Sequence, residues 1–274
     1  MCENHKVDGP QIVSLEGMHR RDVVRRLWAG TMLLGVAGTT GACESAAELF
    51  TPADADLIPM AAQAWQETKA QTPISKDARA NQRLQTVGNK IASVANVPGA
   101  QWEFVVFDSN EKNAFCLPGG KVGFYKGLLD FVDNDDQVAA VLGHEVGHVV
   151  LRHAARRIGQ ETLTSVAIQG AGALVGSQVQ MSSESLNMVM AAAGAGAQVG
   201  VLLPFSRSNE TEADRVGVDY MQQVGYDVKQ AVRLWEKMGA ASTDRPQEWM
   251  STHPNPESRV ADLKRYIVEK GYAT

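Results

Sequence analysis

Apolar residues recur at three- and four-residue intervals along several stretches of the chain. Within residues 78–95, Leu84, Val87, Ile91 and Val94 follow this spacing, and a Val-Pro-Gly sequence comes next. Because a helix turns once every ~3.6 residues, this pattern predicts an amphipathic helix that ends before the proline. Further helices are predicted near residues 53–70, 207–223, 228–239 and 256–270.

Two short stretches are instead rich in β-branched and aromatic residues. They are WEFVVFD at residues 102–108 and KVGFY at residues 121–125, and both compositions are typical of strands. Between them, NAFCLPGG at residues 113–120 combines an extended piece with a Pro-Gly-Gly turn. Residues 102–125 are therefore predicted to form a small antiparallel sheet.

A helix that contains three histidines is predicted after this sheet. Asn134 or Asp135 can serve as its N-cap, and helix-forming residues continue to about Arg157. The fold is thus predicted to be α+β and mostly helical, with the small antiparallel sheet beside this helix. Farther along, residues 158–204 are rich in glycine and alanine, and their stretch at 189–203 fits a membrane span, close helix packing or a mobile cover.

The overall composition is that of an ordinary globular protein. The 274 residues are 44% hydrophobic and 21% charged, and this length suits one large domain or two small ones. The formal net charge of −5 and the aromatic content of 6% argue against nucleic acid as a partner, because nucleic-acid binders usually present a basic face. The composition leaves the oligomeric state open.

The N-terminal segment has the pattern of a bacterial export signal. Four arginines precede a weakly apolar run at 27–42, which ends in small residues directly before Cys43. This order predicts that residues 1–42 direct export, by the general or the twin-arginine route, and that Cys43 carries a lipid anchor on the periplasmic face of the envelope. Cleavage without lipidation and an uncleaved anchor are the alternatives. Residues 43–75 would form a linker and first helix, and residues 76–274 the main domain.

The predicted helix over 134–157 contains a HEVGH sequence with metal-binding spacing. His144 and His148 are four residues apart, so their rings project from one helix face and both can reach one tetrahedral zinc ion. Glu145 is rotated by about 100° from His144, which places its carboxylate beside the open metal position as a general base. Histidines on a solvated helix face are the alternative. His153 is out of register for a third ligand, and we expect it on the opposite side of the helix as a surface or packing residue.

A third ligand is predicted from SRSNETEADR at residues 206–215. Glu210 and Asp214 are also four residues apart and share one face of a second helix, while Glu212 points elsewhere. Glu210 can complete a His-His-Glu set that leaves the fourth position for water, and Asp214 can accept the ring N–H of a ligand histidine. A charged surface helix would show the same spacing, but two histidine ligands already need a third.

Together these stretches resemble family forty-eight of the zinc metallopeptidases, the gluzincin group that contains the prenyl-CAAX endopeptidases, HtpX and BepA. The resemblance rests on HEVGH, on the sequence at 207–214, on NAFCLPGGKV at 113–122 and on HPNPESRV at 253–260. It implies a gluzincin-type domain with one Zn²⁺ per chain. HtpX and the prenyl-CAAX enzymes span the membrane several times, whereas we expect this chain to resemble the exported members, without the C-terminal helical repeats of BepA-like proteins.

The resemblance also implies roles for residues around the zinc. Asn113, Ala114 and Phe115 would line the cleft and pair with a substrate strand. His253 would donate a hydrogen bond to the oxyanion, unless it is only a structural residue of a proline-containing loop. Arg207 would lie in the cleft or behind a ligand, and a solvated arginine at a helix start is the equal alternative.

The predicted function is that of a zinc-dependent endopeptidase that hydrolyses unfolded or misassembled envelope proteins in quality control. Its polypeptide substrates are named from the resemblance alone. A chaperone or assembly factor that uses the same cleft with little turnover is the second hypothesis, and a structural zinc protein is the third. Retention of Glu145 and a ligand set with an open position favour the enzyme over both.

Overall fold

The computed structural model describes residues 46–173, 205–241, 253 and 256–272. The predicted export signal, Cys43 and the stretch at 189–203 lie outside these ranges. Within them helices predominate over strands, which confirms the α+β, mostly helical class. No helix in the described part of the chain combines the length and the apolar character that crossing a membrane requires.

The helices follow the predicted pattern closely. They are α1 (Asp54–Gln71), α2 (Ala78–Val94), α3 (Lys126–Phe131), α4 (Asp135–Val150), α5 (His153–Ala173), α6 (Arg207–Gln223), α7 (Lys229–Ala241) and α8 (Pro256–Glu269). The bounds predicted for α1, α2, α6, α7 and α8 are therefore confirmed to within two residues at each end. Asn134 is the N-cap of α4, since its side chain accepts a hydrogen bond from the backbone N–H of Gln137 at 2.9 Å.

The sheet is mixed, so the prediction of a wholly antiparallel sheet is wrong for one strand pair. Its strands are β1 (Glu103–Phe107), β2 (Ala114–Leu117) and β3 (Lys121–Tyr125), in the order β1-β3-β2. β2 and β3 form an antiparallel hairpin through the tight turn at 118–120, whereas β1 pairs with β3 in parallel. The pattern of β-branched residues predicts strands but carries no information about their order. Here β3 takes the centre, and β2 is left at an edge.

Alternating side chains cover the sheet on both faces. Phe104 and Val106 belong to the main core, which α2, α4, α6, α7 and α8 complete. Val105 and Phe107, one residue out of phase, belong to a smaller cluster around Trp65 of α1. The sheet therefore lies between α1 and the main core, and its edge strand β2 runs beside α4.

Helices α4 and α6 approach each other closely because glycines meet at their crossing. A Cβ atom built on Gly143 would lie 2.9 Å from both the Cα and the carbonyl oxygen of Gly217. A Cβ atom on Gly217 would in turn lie 2.8 Å from the backbone nitrogen of His144. All residues of α4 from 137 to 148 are buried. This crossing brings the histidines of α4 next to the first turns of α6.

We expect Gly143→Ala to destabilise the protein although alanine is the better helix former. The added methyl group meets backbone atoms that cannot rotate away, so the two helices must separate, at a cost of about 1–3 kcal/mol. Urea unfolding would measure the loss, and zinc affinity should fall with it. The control is Gln222→Ala on the exposed face of α6, which should change stability by less than about 0.5 kcal/mol. A stable Gly143→Ala protein would contradict the close crossing.

Candidate metal centre

The two histidines of HEVGH point at one position, as their four-residue spacing predicts. Nε2 of His144 lies 3.0 Å from Nε2 of His148, and both side chains are buried. The two rings are nearly perpendicular, at 80°. Nε2 of each ring is therefore the nitrogen that faces the shared position, and Nδ1 of each faces away from it.

Glu210 brings a carboxylate to the same position from the first turn of α6. Its Oε2 atom lies 3.6 Å from Nε2 of His144, and its Oε1 atom lies 3.5 Å from Nε2 of His148. Ser206 fixes the start of the helix, because its hydroxyl accepts the backbone N–H of Asn209 at 3.2 Å. Three residues from two helices thus converge as the sequence predicts.

His253 is the fourth member of this cluster. Its Nδ1 atom lies 3.1 Å from Nε2 of His144 and 3.0 Å from Oε1 of Glu210, and the side chain is buried. Its Nε2 atom lies 3.5 Å from Oε1 of Glu145. His253 therefore turns Nδ1 towards the ligand position and Nε2 towards the predicted base Glu145. A residue that only donated a hydrogen bond to the oxyanion would not need to lie this close to the other ligands.

The donor set fits a zinc ion. One ligand atom from each of His144, His148, Glu210 and His253 lies within 4.8 Å of every other. Donors at 2.0–2.1 Å from a tetrahedral zinc ion are about 3.3 Å apart, close to the 3.0 to 3.6 Å separations seen here. Imidazole nitrogens whose lone pairs face one another repel, and a cation between them and a carboxylate removes that repulsion. These four residues can therefore hold the metal.

Glu145 stands beside the ligand set without belonging to it. It is buried in α4, and it contributes to the wall of a cavity of about 430 Å³ together with His148 and His253. Residues 113–119, which contain the whole of β2, form another part of the same wall. Asn113, Ala114 and Phe115, predicted to line a cleft, thus do border this cavity. Glu145 therefore borders both the ring of His253 and the open space that a substrate could enter.

Asp214 lies behind His144, where the four-residue spacing from Glu210 places it. Its Oδ1 atom is 2.9 Å from Nδ1 of His144. Burial raises the pKa of this carboxyl, but the guanidinium of Arg259 and the hydrogen bond from His144 outweigh burial and leave the pKa below its usual value. Asp214 is therefore ionised and accepts the Nδ1–H of His144, which directs the lone pair of Nε2 towards the shared ligand position.

Arg259 is a central residue of the site that the spacing of the candidate ligands does not predict. Its Nε and Nη2 atoms donate to the two oxygens of Asp214 at 2.6 Å each, and Nη1 lies 2.7 Å from Oε2 of Glu210. Its guanidinium also stacks 3.1 Å from the ring centroid of Trp235. A single arginine in a polar helix start normally indicates a solvated residue. Only its place in the HPNPESRV sequence could have singled it out.

Arg207 lies apart from the centre. It is the first residue of α6 and is exposed to solvent. No hydrogen bond or ion pair joins its side chain to the ligand cluster in the described part of the chain. This position favours the alternative of a solvated arginine at a helix start.

His153 lies in a different place from the one predicted for it. Helix α4 ends at Val150, and Arg152 adopts a positive φ of 55° before α5 begins at His153. The prediction of one continuous helix to Arg157 is therefore wrong, and so is the placement of His153 on its opposite side. Its ring is fully buried, and its Nδ1 atom lies 2.8 Å from Nδ1 of His148. Burial lowers the pKa of His153 to about 4, so the ring is neutral at pH 7.

Comparison with known proteins identifies relatives of this chain. The beta-barrel assembly-enhancing protease of Escherichia coli K12 is 32% identical over 201 residues, which cover 72% of this chain and 41% of that protein. The mitochondrial metalloendopeptidase OMA1 of Schizosaccharomyces pombe is 36% identical over 182 residues, covering 66% and 51% respectively. The chain thus spans about half or less of the length of these relatives.

The family match includes every described element that supplies the cluster. Residues 78–267 match the model of peptidase family M48, and this range contains α4, α6, His253 and the start of α8. The prediction of a metallopeptidase domain is therefore confirmed. The chain belongs to peptidase family M48.

Proposed function

We propose that this chain is a zinc-dependent endopeptidase. The observation that carries the proposal is the convergence of His144, His148 and Glu210 on one position, with Glu145 beside it at the edge of a cavity. When bound, zinc would polarise the scissile carbonyl and lower the pKa of bound water to roughly 7. The protein supplies the ligands, the base and the surface that holds the substrate.

Glu145 acts as the general base. Its carboxylate takes a proton as water attacks the carbonyl carbon, and it then delivers that proton to the leaving amine. The neighbouring residue His144 is a ligand, so the helix itself fixes the separation of base and metal position. Burial of the site excludes bulk water, which strengthens the electrostatic interactions that stabilise the developing charge.

The edge strand β2 holds the substrate in an extended form. The carbonyl oxygens of Asn113 and Leu117 accept hydrogen bonds from the hairpin at 3.0 and 3.1 Å, so the intervening Ala114 and Cys116 direct their backbone groups away from β3. The N–H of Ala114 is occupied by the side chain of Asn113 at 2.9 Å, and a substrate carbonyl would replace it. Backbone pairing gives affinity with little sequence preference, which suits unfolded substrates.

We further propose that the substrates are unfolded or misassembled proteins of the bacterial envelope. Support comes from the export-signal pattern before Cys43 and from the similarity to the beta-barrel assembly-enhancing proteases. The protein would act on the periplasmic face of the envelope, held at the membrane by a lipid on Cys43. Envelope proteins that have not yet folded expose unpaired strand edges and apolar segments, and a quality-control protease at the membrane would bind these.

Cys43→Ser tests the anchor. Without the thiol there is no acceptor for the lipid, so the protein should move from the membrane fraction to the soluble periplasmic fraction. The matched control is Cys116→Ser, which removes the other thiol downstream of the signal and should leave fractionation unchanged. Unchanged membrane association of Cys43→Ser would refute the lipid anchor and leave the peptidase proposal untouched.

His253→Ala tests which role His253 has. Because Nδ1 of His253 lies within the donor set, we propose that His253 would serve as a fourth zinc ligand in place of water. Removing the imidazole of His253 should weaken zinc binding by at least about 10–100-fold, the usual effect of losing a residue that hydrogen-bonds a ligand. The kcat at saturating zinc should stay equal or rise. The opposite result, unchanged zinc affinity with kcat lowered about 10²–10³-fold, would restore the predicted oxyanion role.

The direct test of the proposed function is hydrolysis of denatured casein by the purified chain. We expect cleavage that stops with 1,10-phenanthroline and returns with added Zn²⁺. A chain that prevents aggregation of unfolded proteins but leaves casein intact would instead support the chaperone hypothesis.

A further inference from the structure

A chain of hydrogen bonds leads from one ligand histidine to the protein surface. Nδ1 of His148 lies 2.8 Å from Nδ1 of His153, and Nε2 of His153 lies 3.2 Å from Oε2 of Glu212. His153 is fully buried, whereas the side chain of Glu212 is 43% exposed. The arrangement thus connects the buried site to a carboxylate in contact with solvent.

The positions of the ring nitrogens determine where each proton lies. Nε2 of His148 faces His144 and Glu210, so this atom must offer its lone pair to a metal and the ring proton is on Nδ1. Nδ1 of His153 must therefore accept, and its proton is on Nε2. That proton points at Oε2 of Glu212, which can only accept when ionised.

We propose that His153 and Glu212 are positioning residues that set the tautomer and the ring orientation of His148 for zinc binding. Glu212 holds the proton of His153 on Nε2, and His153 in turn holds the proton of His148 on Nδ1. This inference rests on the proposed zinc site. It gives a role to two residues whose spacing in the sequence does not connect them with the metal site.

The surroundings of Glu212 keep it in place. Its Oε2 atom lies 3.2 Å from Nη2 of Arg156, and its Oε1 atom accepts from the hydroxyl of Ser208 at 3.3 Å. On the other side of the relay, Phe205 stacks on His148 with ring centroids 4.1 Å apart. The orientation of His148 is thus fixed by contacts on its face and at its Nδ1 atom.

Electrostatics explains why a neutral histidine, His153, lies between the ligand His148 and the carboxylate of Glu212. The site already buries the carboxylates of Glu145, Glu210 and Asp214, and Arg259 compensates two of them. A carboxylate placed directly on His148 would add another buried charge, which is costly unless it is paired. His153 passes the hydrogen bond to Glu212, whose charge stays where water can solvate it.

Zinc affinity of matched variants tests the proposal. In chelator competition, His153→Leu should bind zinc about 10–100-fold more weakly than the wild type, the usual cost of losing a supporting partner. His153→Asn, whose Oδ1 atom can replace Nδ1 as the acceptor, should recover most of that loss. Glu212→Ala should also weaken binding, and Glu67→Ala, which removes an exposed glutamate of α1 outside the relay, should not. Equal affinity of His153→Leu and wild type, or no recovery in His153→Asn, would overturn the proposal.

A spectroscopic measurement keeps the proposal testable even if His153→Leu does not fold. Long-range ¹H–¹⁵N correlation spectra of the zinc-loaded wild-type chain report the tautomer of each histidine. We expect His148 protonated on Nδ1 and His153 protonated on Nε2. A proton on Nδ1 of His153 would overturn the relay alone, whereas a wild-type chain that binds no zinc would overturn the proposed function as well.

Discussion

Glu145→Gln is expected to lower kcat/KM for casein by about 10²–10⁴-fold, the range typical of removing a general base. The amide cannot take a proton from water, so the attacking step loses its acceptor. Zinc content should stay at the wild-type level, because Glu145 is not among the residues whose donor atoms converge. The measurement is initial cleavage rate together with metal analysis of the same sample.

The matched control for this variant is Glu67→Gln on the exposed face of α1. It makes the same chemical change away from the ligand cluster and should cleave casein like the wild type. Undiminished cleavage by Glu145→Gln with zinc in place would refute the assignment of Glu145 as the base. Suppression of aggregation that persists in Glu145→Gln would show that substrate binding in the cleft does not need turnover.

Arg259→Met is expected to cause the largest loss of stability, about 3–5 kcal/mol, the usual cost of breaking a buried ion pair. The side chain is 2% exposed and contacts the carboxylates of both Asp214 and Glu210. Methionine fills similar volume but leaves these buried charges without their cation. The pKa of Asp214 should then rise, because burial already raises it and the compensating guanidinium is gone.

Arg215→Met is the matched control for this loss. Arg215 also binds an aspartate with two hydrogen bonds, at 2.9 and 2.7 Å to Asp262, but its side chain is 42% exposed. Solvent screens this pair, so its removal should cost about 1 kcal/mol or less. Urea unfolding of both variants in the presence of a chelator measures the difference without a contribution from zinc. Equal stability of the two variants would contradict the importance assigned to burial of Arg259.

Local spacing predicted that His144, His148 and Glu210 would converge, because each of these three residues lies on a regular helix. The four-residue separation of His144 and His148, and that of Glu210 and Asp214, depends only on helix geometry. Once both helices form, the distance between the two pairs depends on how closely the helices cross. The glycines at 143 and 217 allow the close crossing. The ligand set was therefore accessible to an argument from sequence.

The break between α4 and α5 was not accessible in the same way. Neither Gly nor Pro marks residues 151 and 152, and the positive φ of Arg152 is sustained by tertiary contacts. Its side chain donates to Oδ1 of Asp54 at 2.8 Å and to the carbonyl oxygen of Pro52 at 2.7 Å. Contacts across some hundred residues of sequence leave no periodic signal, and His153 was misplaced for this reason.

Arg259 and the order of the strands escaped prediction for a related reason. The role of Arg259 depends on where α8 packs, because its partners Asp214 and Glu210 lie on α6. The central place of β3 likewise depends on how the chain passes between β1 and β2. Both depend on how the elements pack in the assembled core. Residue spacing within one helix or strand carries no information about that packing.

The most direct test of the central claim is metal analysis of the purified chain after exhaustive dialysis, in parallel with a Glu210→Ala variant. We predict one zinc ion per wild-type chain and a clear loss of zinc from Glu210→Ala, because the carboxylate of Glu210 completes the set begun by His144 and His148. A wild-type chain without zinc, or a Glu210→Ala chain that retains zinc with wild-type affinity, would contradict the account.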